Sequence, residues 1–359
     1  MDTEVQFWVR DGIGYIHLNR PRAINALSQA MFYAIESQVT AWLESDEVIS
    51  LDLSGEGSRG YCAGADIRQM RNLVVEDPAL GVGFLDDEYR LDALLAHSPL
   101  PLTAHLHGVT MGGGVGLAMR ASRRVASTDL QWAMPEVGIG LWPDVGTTYE
   151  LSRIPGNLGV YMGMTGTTID AASALYAGVV DEVMETTGEG ASSAPREALA
   201  NPESHSAPSP CAKVAESTIH VPGEVFAHVG KDSAYALNSQ LAHDSEWIAQ
   251  CFTGDNALDI VSRLESHPNE RAQATAVTIR EKAPLSVAVT LAAVRQAETL
   301  PNLDAVFARD SALARTIGIG SDFIEGVRAQ LLDKDRTPHW HHARLEEVTP
   351  QEVQETLAG

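Results

Sequence analysis

Two carboxylates, Glu136 and Asp144, stand in a stretch that is otherwise apolar and rich in glycine, residues 134–146. A carboxylate in such surroundings is either paired with a partner or shifted in pKa for acid–base work. Spacing alone leaves open that either residue caps a helix or binds an arginine. The stretch is therefore a candidate acid–base site that needs support from other residues.

A run of three glycines, Gly112–Gly114, follows an apolar segment and opens a predicted helix. The first backbone N–H groups of a helix have no partner inside it and lie at its positive end. If they face a carbonyl oxygen, such groups stabilise the negative charge that develops there during acyl transfer. A tight turn without any chemical role explains a triple glycine equally well.

A third stretch, Tyr-Cys-Ala-Gly-Ala-Asp-Ile at residues 61–67, directly follows a predicted strand. Its small residues let the backbone approach a ligand closely. Cys62 lies within it, but no histidine is placed to activate a thiol, so we interpret Cys62 as a small packed side chain.

Strands and helices alternate around these three stretches, which predicts an α/β architecture with crossover connections. Periodicity does not distinguish a doubly wound sheet from a spiral of βαβ units. The predicted elements are a hairpin over residues 6–19 around Asp11-Gly12, a helix over 28–45, a strand over 49–53, a buried strand over 102–109, a helix over 115–121 and a strand over 124–126.

The composition changes near residue 183. We predict an α/β core over residues 1–183, an insertion or linker rich in Ser, Pro and Gly over 184–235, and a helical region over 236–359 that packs back on the core. Helical spacing is clearest over residues 257–264, 272–281, 285–298 and 303–317.

The acidic balance of the chain disfavours several classes of function. With 48 acidic and 25 basic residues the formal net charge is −23, which repels phosphate backbones, so we expect no nucleic-acid partner. Three separated cysteines and the His339–His342 segment lack the spacing of a metal site, so no metal is predicted. No signal peptide or membrane span is visible, and we expect a cytoplasmic protein without a membrane partner.

The order and spacing of the three stretches resemble the enoyl-CoA hydratase/isomerase (crotonase) family. The resemblance covers about residues 5–183 and 245–349. It implies a crotonase-like spiral of βαβ units and a coenzyme A thioester as substrate, with no cofactor apart from that coenzyme A. It also implies an oxyanion hole formed by the backbone amides of Ala65 and Gly113.

One departure points to a branch of the family. Hydratases carry a glutamate two residues after the triple glycine, where this chain has Gly116, whereas Glu136 matches their second glutamate. Residues 140–146 instead resemble the hydrolases of 3-hydroxyisobutyryl-CoA, whose second acidic residue stands where Asp144 is. The tail over residues 322–340 resembles those hydrolases too. The expected reaction is therefore hydrolysis of a short 3-hydroxyacyl-CoA thioester, as in valine degradation.

The resemblance also suggests roles for individual residues. Glu136 would activate water as a general base or attack the thioester as a nucleophile. Asp144 would orient the water or Glu136, or bind the 3-hydroxyl group of the acyl chain. Further substrate contacts are expected from Glu88, Gly112 and Asp66, and the cations proposed for the phosphates of coenzyme A are Arg22, Arg68 and Lys334, with Arg20 as a further candidate.

Two other functions remain open at this point. The first is an enoyl-CoA hydratase or isomerase, against which Gly116 argues. The second is a non-catalytic binding protein on the same fold, against which the retention of Glu136 and Asp144 argues. Members of the family often form trimers or hexamers, so the resemblance leaves a homo-oligomer open.

Overall fold

The structure, a computed structural model, describes residues 3–184 and 233–359. Strands and helices alternate up to residue 184, and from residue 234 the described chain is helical. Most of the predicted insertion, residues 185–232, lies outside the described residues.

The chain begins with the predicted hairpin. Strands β1 (Val5–Arg10) and β2 (Ile13–Leu18) pair in antiparallel register. The two residues between them, Asp11 and Gly12, have φ angles of 53° and 78°. Positive φ at both positions matches the right-handed twist of the flanking strands, which is why an Asp-Gly pair closes this turn.

Among the described residues the main sheet has six strands, and every pairing after the hairpin is parallel. Since the carboxyl ends of parallel strands meet at one edge, ligands of α/β proteins bind there. The strands that follow β2 are β3 (Ser50–Gly55), β4 (Leu102–Leu106), β6 (Arg123–Ser127) and β9 (Glu182–Met184). A second sheet joins β5 (Val109–Met111), β7 (Gln131–Ala133) and β8 (Ile169–Asp170).

The prediction of one continuous strand over residues 102–109 is wrong in one respect. The chain leaves the main sheet after β4 and enters the second sheet as β5. At the break Gly108 has a φ of 47°, and a Cβ there would lie 2.5 Å from the carbonyl oxygen of Arg59. This close approach lets residues 60–62 bridge residues 108–110, which brings the two glycine-rich stretches together.

The first helix follows its predicted pattern closely. Helix α1 (Gln29–Leu43) begins after Ser28, whose side chain accepts a hydrogen bond from the Met31 N–H. Its apolar face packs on helix α3 (Pro78–His97), where Phe32 meets Phe84 edge to face at a centroid distance of 5.2 Å. Contact with α1 fixes the orientation of α3, which carries Glu88.

The C-terminal helices pack on the same core. The remaining helices are α2 (Ile67–Glu76), α4 (Gly113–Met119), α5 (Thr147–Leu151), α6 (Leu158–Thr165), α7 (Ala171–Ala177), α8 (Ala234–Leu237), α9 (Gln240–Cys251), α10 (Ala257–Ser266), α11 (Glu270–Arg280), α12 (Pro284–Ala297), α13 (Leu303–Ala314), α14 (Ser321–Val327) and α15 (Pro350–Ala358). Helix α13 contacts α3, α14 contacts α2, and α12 lies against α6 and α15. No helix of the described chain is long and apolar enough to cross a membrane.

Helix α13 is shorter than the sequence predicts. The spacing indicates a helix over residues 303–317, but α13 ends at Ala314 and a separate single 3₁₀ turn follows at Ile317–Ile319. Buried residues continue across the break, and apolar periodicity alone cannot detect it.

Candidate active site

The loop after β3 presents one unpaired amide to the site. Leu27 pairs with Ala65 as in a parallel sheet, because the Leu27 N–H donates to Gly64 O and the Asp66 N–H donates to Leu27 O, each at 2.8 Å. In a parallel pairing these bonds flank the central residue, so the N–H of Ala65 faces away from Leu27. Among the described residues no acceptor takes this N–H.

The second amide belongs to Gly113, the first residue of α4. Its N–H has no acceptor within the helix, as is usual for a first helical residue. A Cβ on Gly113 would lie 3.3 Å from the Ala65 nitrogen, and one on Gly64 would lie 3.2 Å from the Gly113 nitrogen. The two amides predicted for the oxyanion hole are therefore neighbours, and only glycine allows the two loops to come so close.

Both amides line a cavity of about 310 Å³. The cavity brings together six of the residues that the sequence predicts for the site: Ala65, Glu88, Gly112, Gly113, Glu136 and Asp144. The rest of its wall is mostly apolar and consists of Ala63, Gly64, Ile67, Leu85, Pro135, Gly138, Ile139, Leu141, Lys282 and Gln330.

Glu136 opens a short 3₁₀ turn that follows β7 and points its carboxyl group at the glycine loop. Its Oε1 atom lies 3.0 Å from where a Cβ of Gly112 would be, and its Oε2 atom has no hydrogen-bond partner among the described residues. Burial raises the pKa of Glu136 well above the usual range, and the nearby charge of Asp144 adds to that effect.

Asp144 lies in the segment between that turn and α5. Its Oδ2 atom accepts a hydrogen bond of 2.8 Å from the Tyr89 hydroxyl. Burial raises the pKa of Asp144 to about 7, and the negative charge of Asp310 acts in the same direction, whereas the hydrogen bond from Tyr89 opposes both.

Glu88 reaches the cavity from α3, whereas its neighbour Asp87 does not. Burial raises the pKa of Glu88 well above its usual range, with the charge of Asp144 as the next cause, and its Oε1 atom has no partner in the described chain. Asp87 instead pairs with Arg90 at 2.8 Å and accepts a hydrogen bond from Gln29, which ties α3 to α1.

Three carboxyl groups thus share one cavity with two unpaired N–H donors. Since desolvation and like charges oppose ionisation, these groups keep protons at pH values where exposed carboxyl groups have lost them. One carboxyl group can then act as an acid while another acts as a base. Together with the two donors, this arrangement suits attack on a carbonyl carbon, with charge developing on its oxygen.

The position of the hydratase glutamate is closed in this protein. A Cβ on Gly116 would lie 2.8 Å from the Cβ of Val145 and 3.0 Å from Oδ2 of Asp92. Both distances are too short for a side chain unless its neighbours move. A glutamate at residue 116 would therefore require changes in the residues packed around it as well as the substitution itself.

The structure does not bring the other predicted substrate residues to the cavity wall. Asp66 caps α2 and pairs with Arg20 at 3.1 Å, so its carboxylate is occupied. Arg22, Arg68 and Lys334 are exposed and absent from the lining. Arg68 nevertheless donates a hydrogen bond to the carbonyl oxygen of Leu331, next to the lining residue Gln330, and so lies near the mouth.

Lys282 is a lining residue that the sequence reasoning missed. It is half-buried at the turn before α12, and burial lowers the pKa of its ammonium group. In the sequence Lys282 is an isolated lysine between two predicted helices. Nothing in the residues around it indicates that it lines a cavity together with residues far earlier in the chain.

Two further sequence interpretations can be compared with the structure. The Cys62 thiol is buried and donates to Asn25 O at 3.2 Å, and burial raises its pKa to about 12, which suits a packed thiol and not a nucleophile.

Within the described residues no group of three His, Cys, Asp or Glu side chains could hold a metal ion. His342 is paired with Glu352 instead.

A model of the enoyl-CoA hydratase/isomerase family matches residues 13–357. The chain belongs to this family. It is 32% identical to the mitochondrial 3-hydroxyisobutyryl-CoA hydrolase of Gallus gallus over 98% of this chain and 88% of that protein. It is 31% identical to the corresponding protein of Homo sapiens, over 95% of this chain and 84% of the relative.

These relatives correct one expectation from the sequence. Both are named as mitochondrial proteins, which contradicts the expected cytoplasmic location. That expectation rested on the search for a signal-peptide pattern, which concerns secretion and not the other compartments of a cell.

A solved structure confirms the fold class. The carnitinyl-CoA dehydratase of Mycobacterium thermoresistibile superposes with a TM-score of 0.81 and 32% identity, covering 100% of this chain and 97% of that one. The crotonase-like α/β fold with a helical C-terminal region is thus confirmed. This neighbour is named as a dehydratase, whereas the relatives above are named as hydrolases.

The closed position at Gly116 gives a first prediction. Gly116→Ala should destabilise the fold by about 1–3 kcal/mol, because the added methyl group overpacks the contact with Val145. Gly83→Ala in α3 is the matched control: a Cβ there meets nothing within 4 Å, so we expect a gain of roughly 0.5–1 kcal/mol. Urea unfolding measures both, and equal stabilities for the two variants would contradict the packing argument.

The raised pKa of Asp144 gives a second prediction. The folded protein holds the Asp144 proton up to about pH 7, whereas the unfolded chain releases it near pH 4, so this group's contribution to stability is lost as pH rises between those values. Asp144→Asn should therefore lose less stability than the wild type between about pH 4.5 and about pH 7.5.

Urea unfolding at the two pH values measures this difference. Asp86→Asn is the control, because Asp86 is a surface partner of Arg315 and should leave the pH dependence as it is in the wild type. A wild-type pH dependence in Asp144→Asn would show that Asp144 ionises normally.

Proposed function

We propose that this protein hydrolyses the thioester of a short 3-hydroxyacyl-CoA, with 3-hydroxyisobutyryl-CoA as the preferred substrate. The observation that carries this proposal is the cavity in which Glu136 and Asp144 face two unpaired amides while Val145 closes position 116. The relatives named as 3-hydroxyisobutyryl-CoA hydrolases support the choice of reaction and of acyl group.

The thioester carbonyl oxygen would accept hydrogen bonds from the N–H groups of Ala65 and Gly113. As water or a carboxylate adds to the carbonyl carbon, negative charge builds on this oxygen and the two bonds strengthen. Loss of one such donor raises a barrier by roughly 3 kcal/mol in other enzymes. Both donors are backbone groups, held by the pairing of Ala65 with Leu27 and by α4, so they need no rearrangement during the reaction.

Glu136 is the proposed base or nucleophile. In the first case it takes a proton from water, whose oxygen forms the new bond to the acyl carbon while the C–S bond breaks and coenzyme A leaves as a thiol after gaining a proton. In the second case the Glu136 carboxylate attacks the acyl carbon, the C–S bond breaks and coenzyme A leaves as a thiol after gaining a proton. Water then cleaves the resulting anhydride, which returns the Glu136 carboxylate and releases the 3-hydroxy acid. Its unpartnered Oε2 atom and its place beside Gly112 suit either role.

Asp144 and Glu88 would hold the acyl group and the water. The 3-hydroxyl group of the substrate can both donate and accept a hydrogen bond, which suits a pair of carboxyl groups that share protons. Tyr89 keeps Asp144 in place through its hydroxyl group. A reaction that needs only water requires no cofactor, since coenzyme A arrives as part of the substrate.

The phosphates of coenzyme A need cations on a strongly acidic protein. Lys282 lines the cavity, and Arg68 lies beside its mouth. We propose these two residues as the first phosphate contacts. Arg22 and Lys334 remain candidates from the surface, because a long substrate extends well beyond the cavity.

Free thiol release from 3-hydroxyisobutyryl-CoA, run beside hydration of crotonyl-CoA, tests the proposed function. We expect thiol release and no hydration. Hydration without thiol release would instead favour a hydratase. No turnover of any short acyl-CoA would favour a binding protein without catalysis.

Substitution of the proposed base gives a third prediction. Glu136→Gln should lower kcat by about 100-fold or more, because the amide can neither accept the proton nor attack, while the fold stays intact. Glu265→Gln is the control, since Glu265 lies exposed on α10, where it pairs with Arg280. Near-wild-type turnover in a folded Glu136→Gln protein would refute the role of Glu136.

A further inference from the structure

A fully buried carboxylate on α13 holds the chain on both sides of Asp144. Oδ1 of Asp310 accepts a hydrogen bond from the Trp142 indole N–H at 3.1 Å, and Oδ2 accepts one from the Gly146 backbone N–H at 2.9 Å. Trp142 and Gly146 stand two residues before and two residues after Asp144. One side chain therefore fixes the segment at two points that bracket the proposed catalytic residue.

The segment needs such a restraint because its backbone is strained. Val145 has a φ of 49°, a value at which a β-branched residue is an outlier. A conformation of this kind persists only where its surroundings hold it in place. The bond from the Gly146 N–H to Asp310 lies directly after Val145, and Val145 is the residue that fills the space above Gly116.

Arg309 keeps Asp310 in position. Its guanidinium group pairs with Oδ1 of Asp310 at 2.9 Å, donates to the Ala293 carbonyl oxygen at 2.6 Å and contacts the hydroxyl group of Thr148. These bonds join α13 to α12 and α5. The Asp310 carboxyl group thus accepts three hydrogen bonds, two from the segment around Asp144 and one from the Arg309 guanidinium group.

We propose that Asp310 is the positioning residue for Asp144: it holds residues 142–146 in the strained conformation that places the Asp144 carboxyl group in the cavity. This inference rests on the proposed function, since it assigns Asp310 a part in that reaction. It adds a residue of α13 to a site whose wall comes from the α/β core, the turn before α12 and the segment around Gln330.

The charge of Asp310 has a second effect, because it favours the protonated form of Asp144. Without that charge, Asp144 would lose its proton at a lower pH. Loss of the Asp310 charge therefore lowers the pKa of Asp144, whether the reaction needs Asp144 protonated or ionised. In the part of the chain that the structure describes, the other ionisable groups that act on Asp144 or share its cavity are Glu88, Tyr89 and Asp92 on α3, Glu136 on its turn and Lys282 before α12.

Asp310→Asn tests the inference with little change of shape. The amide has one acceptor oxygen and two N–H donors, so it cannot serve both Trp142 and Gly146. We expect kcat to fall by about 10–100-fold, with KM changed less than about 3-fold, since misplacement of a reacting group acts mainly on turnover. The pH at which kcat is half-maximal, on the limb that Asp144 governs, should move to lower pH.

Asp304→Asn is the matched control on the same helix. Asp304 is exposed and paired with His97, so its loss should leave both kcat and the pH profile at wild-type values. Hydrogen exchange of a peptide spanning residues 142–146 gives a readout that needs no substrate. We expect this peptide to exchange faster in Asp310→Asn and at the wild-type rate in Asp304→Asn.

Trp142→Phe separates the restraint on residues 142–146 from the effect of the Asp310 charge. It also replaces Asp310→Asn as the test if that variant fails to fold. It removes one hydrogen bond and keeps the carboxylate, so we expect faster exchange and a smaller fall in kcat, with the half-maximal pH unchanged. Wild-type exchange of residues 142–146 in Asp310→Asn, or in Trp142→Phe where only that variant folds, would overturn the inference. A wild type without thiol release would overturn the proposed function alone, because the exchange experiment would still decide the role of Asp310.

Discussion

The site depends on the close approach of two backbone segments, the loop after β3 and the start of α4. A Cβ on Gly64 would lie 3.0 Å from the Met111 carbonyl oxygen and 3.2 Å from the Gly113 nitrogen, so a side chain there would push the two segments apart. This approach sets two amides side by side, and no described residue accepts a hydrogen bond from either of them. The crossing of the chain between its two sheets at Gly108 and the packing of α3 on α1 both serve to maintain it.

The ionisable side chains around these amides are mostly carboxyl groups, and most of the basic side chains lie outside the cavity wall. Arg120 pairs with Glu150 behind the cavity, Arg309 pairs with Asp310, and among the described residues that line the cavity Lys282 is the one basic side chain. A thioester carbonyl is uncharged, so it can enter such a cavity without an opposite charge. The acidic surroundings then favour protonated carboxyl groups, which can donate as well as accept hydrogen bonds.

The sequence allowed the hairpin, α1 and the residues around the amides to be predicted, because each depends on local spacing and on glycine. Asp310 and Lys282 could not be found in the same way. Each acts on the site through contacts with residues more than a hundred positions earlier, and neither lies in a local pattern that signals this. The positions of Arg22 and Arg68 outside the cavity wall could not be predicted either, because a sequence shows that a residue is charged but not where the fold places it.

The packing of Val145 against Gly116 also bears on how one activity of this family could change into another. A glutamate introduced at residue 116 meets Val145 first, and trimming Val145 alone leaves a gap beside Asp92 without adding any acid. A glutamate at residue 116 would therefore have to be accompanied by a smaller residue at position 145. Because the two positions share one packing contact, the acid that marks the hydratases and the segment that carries Asp144 cannot vary independently.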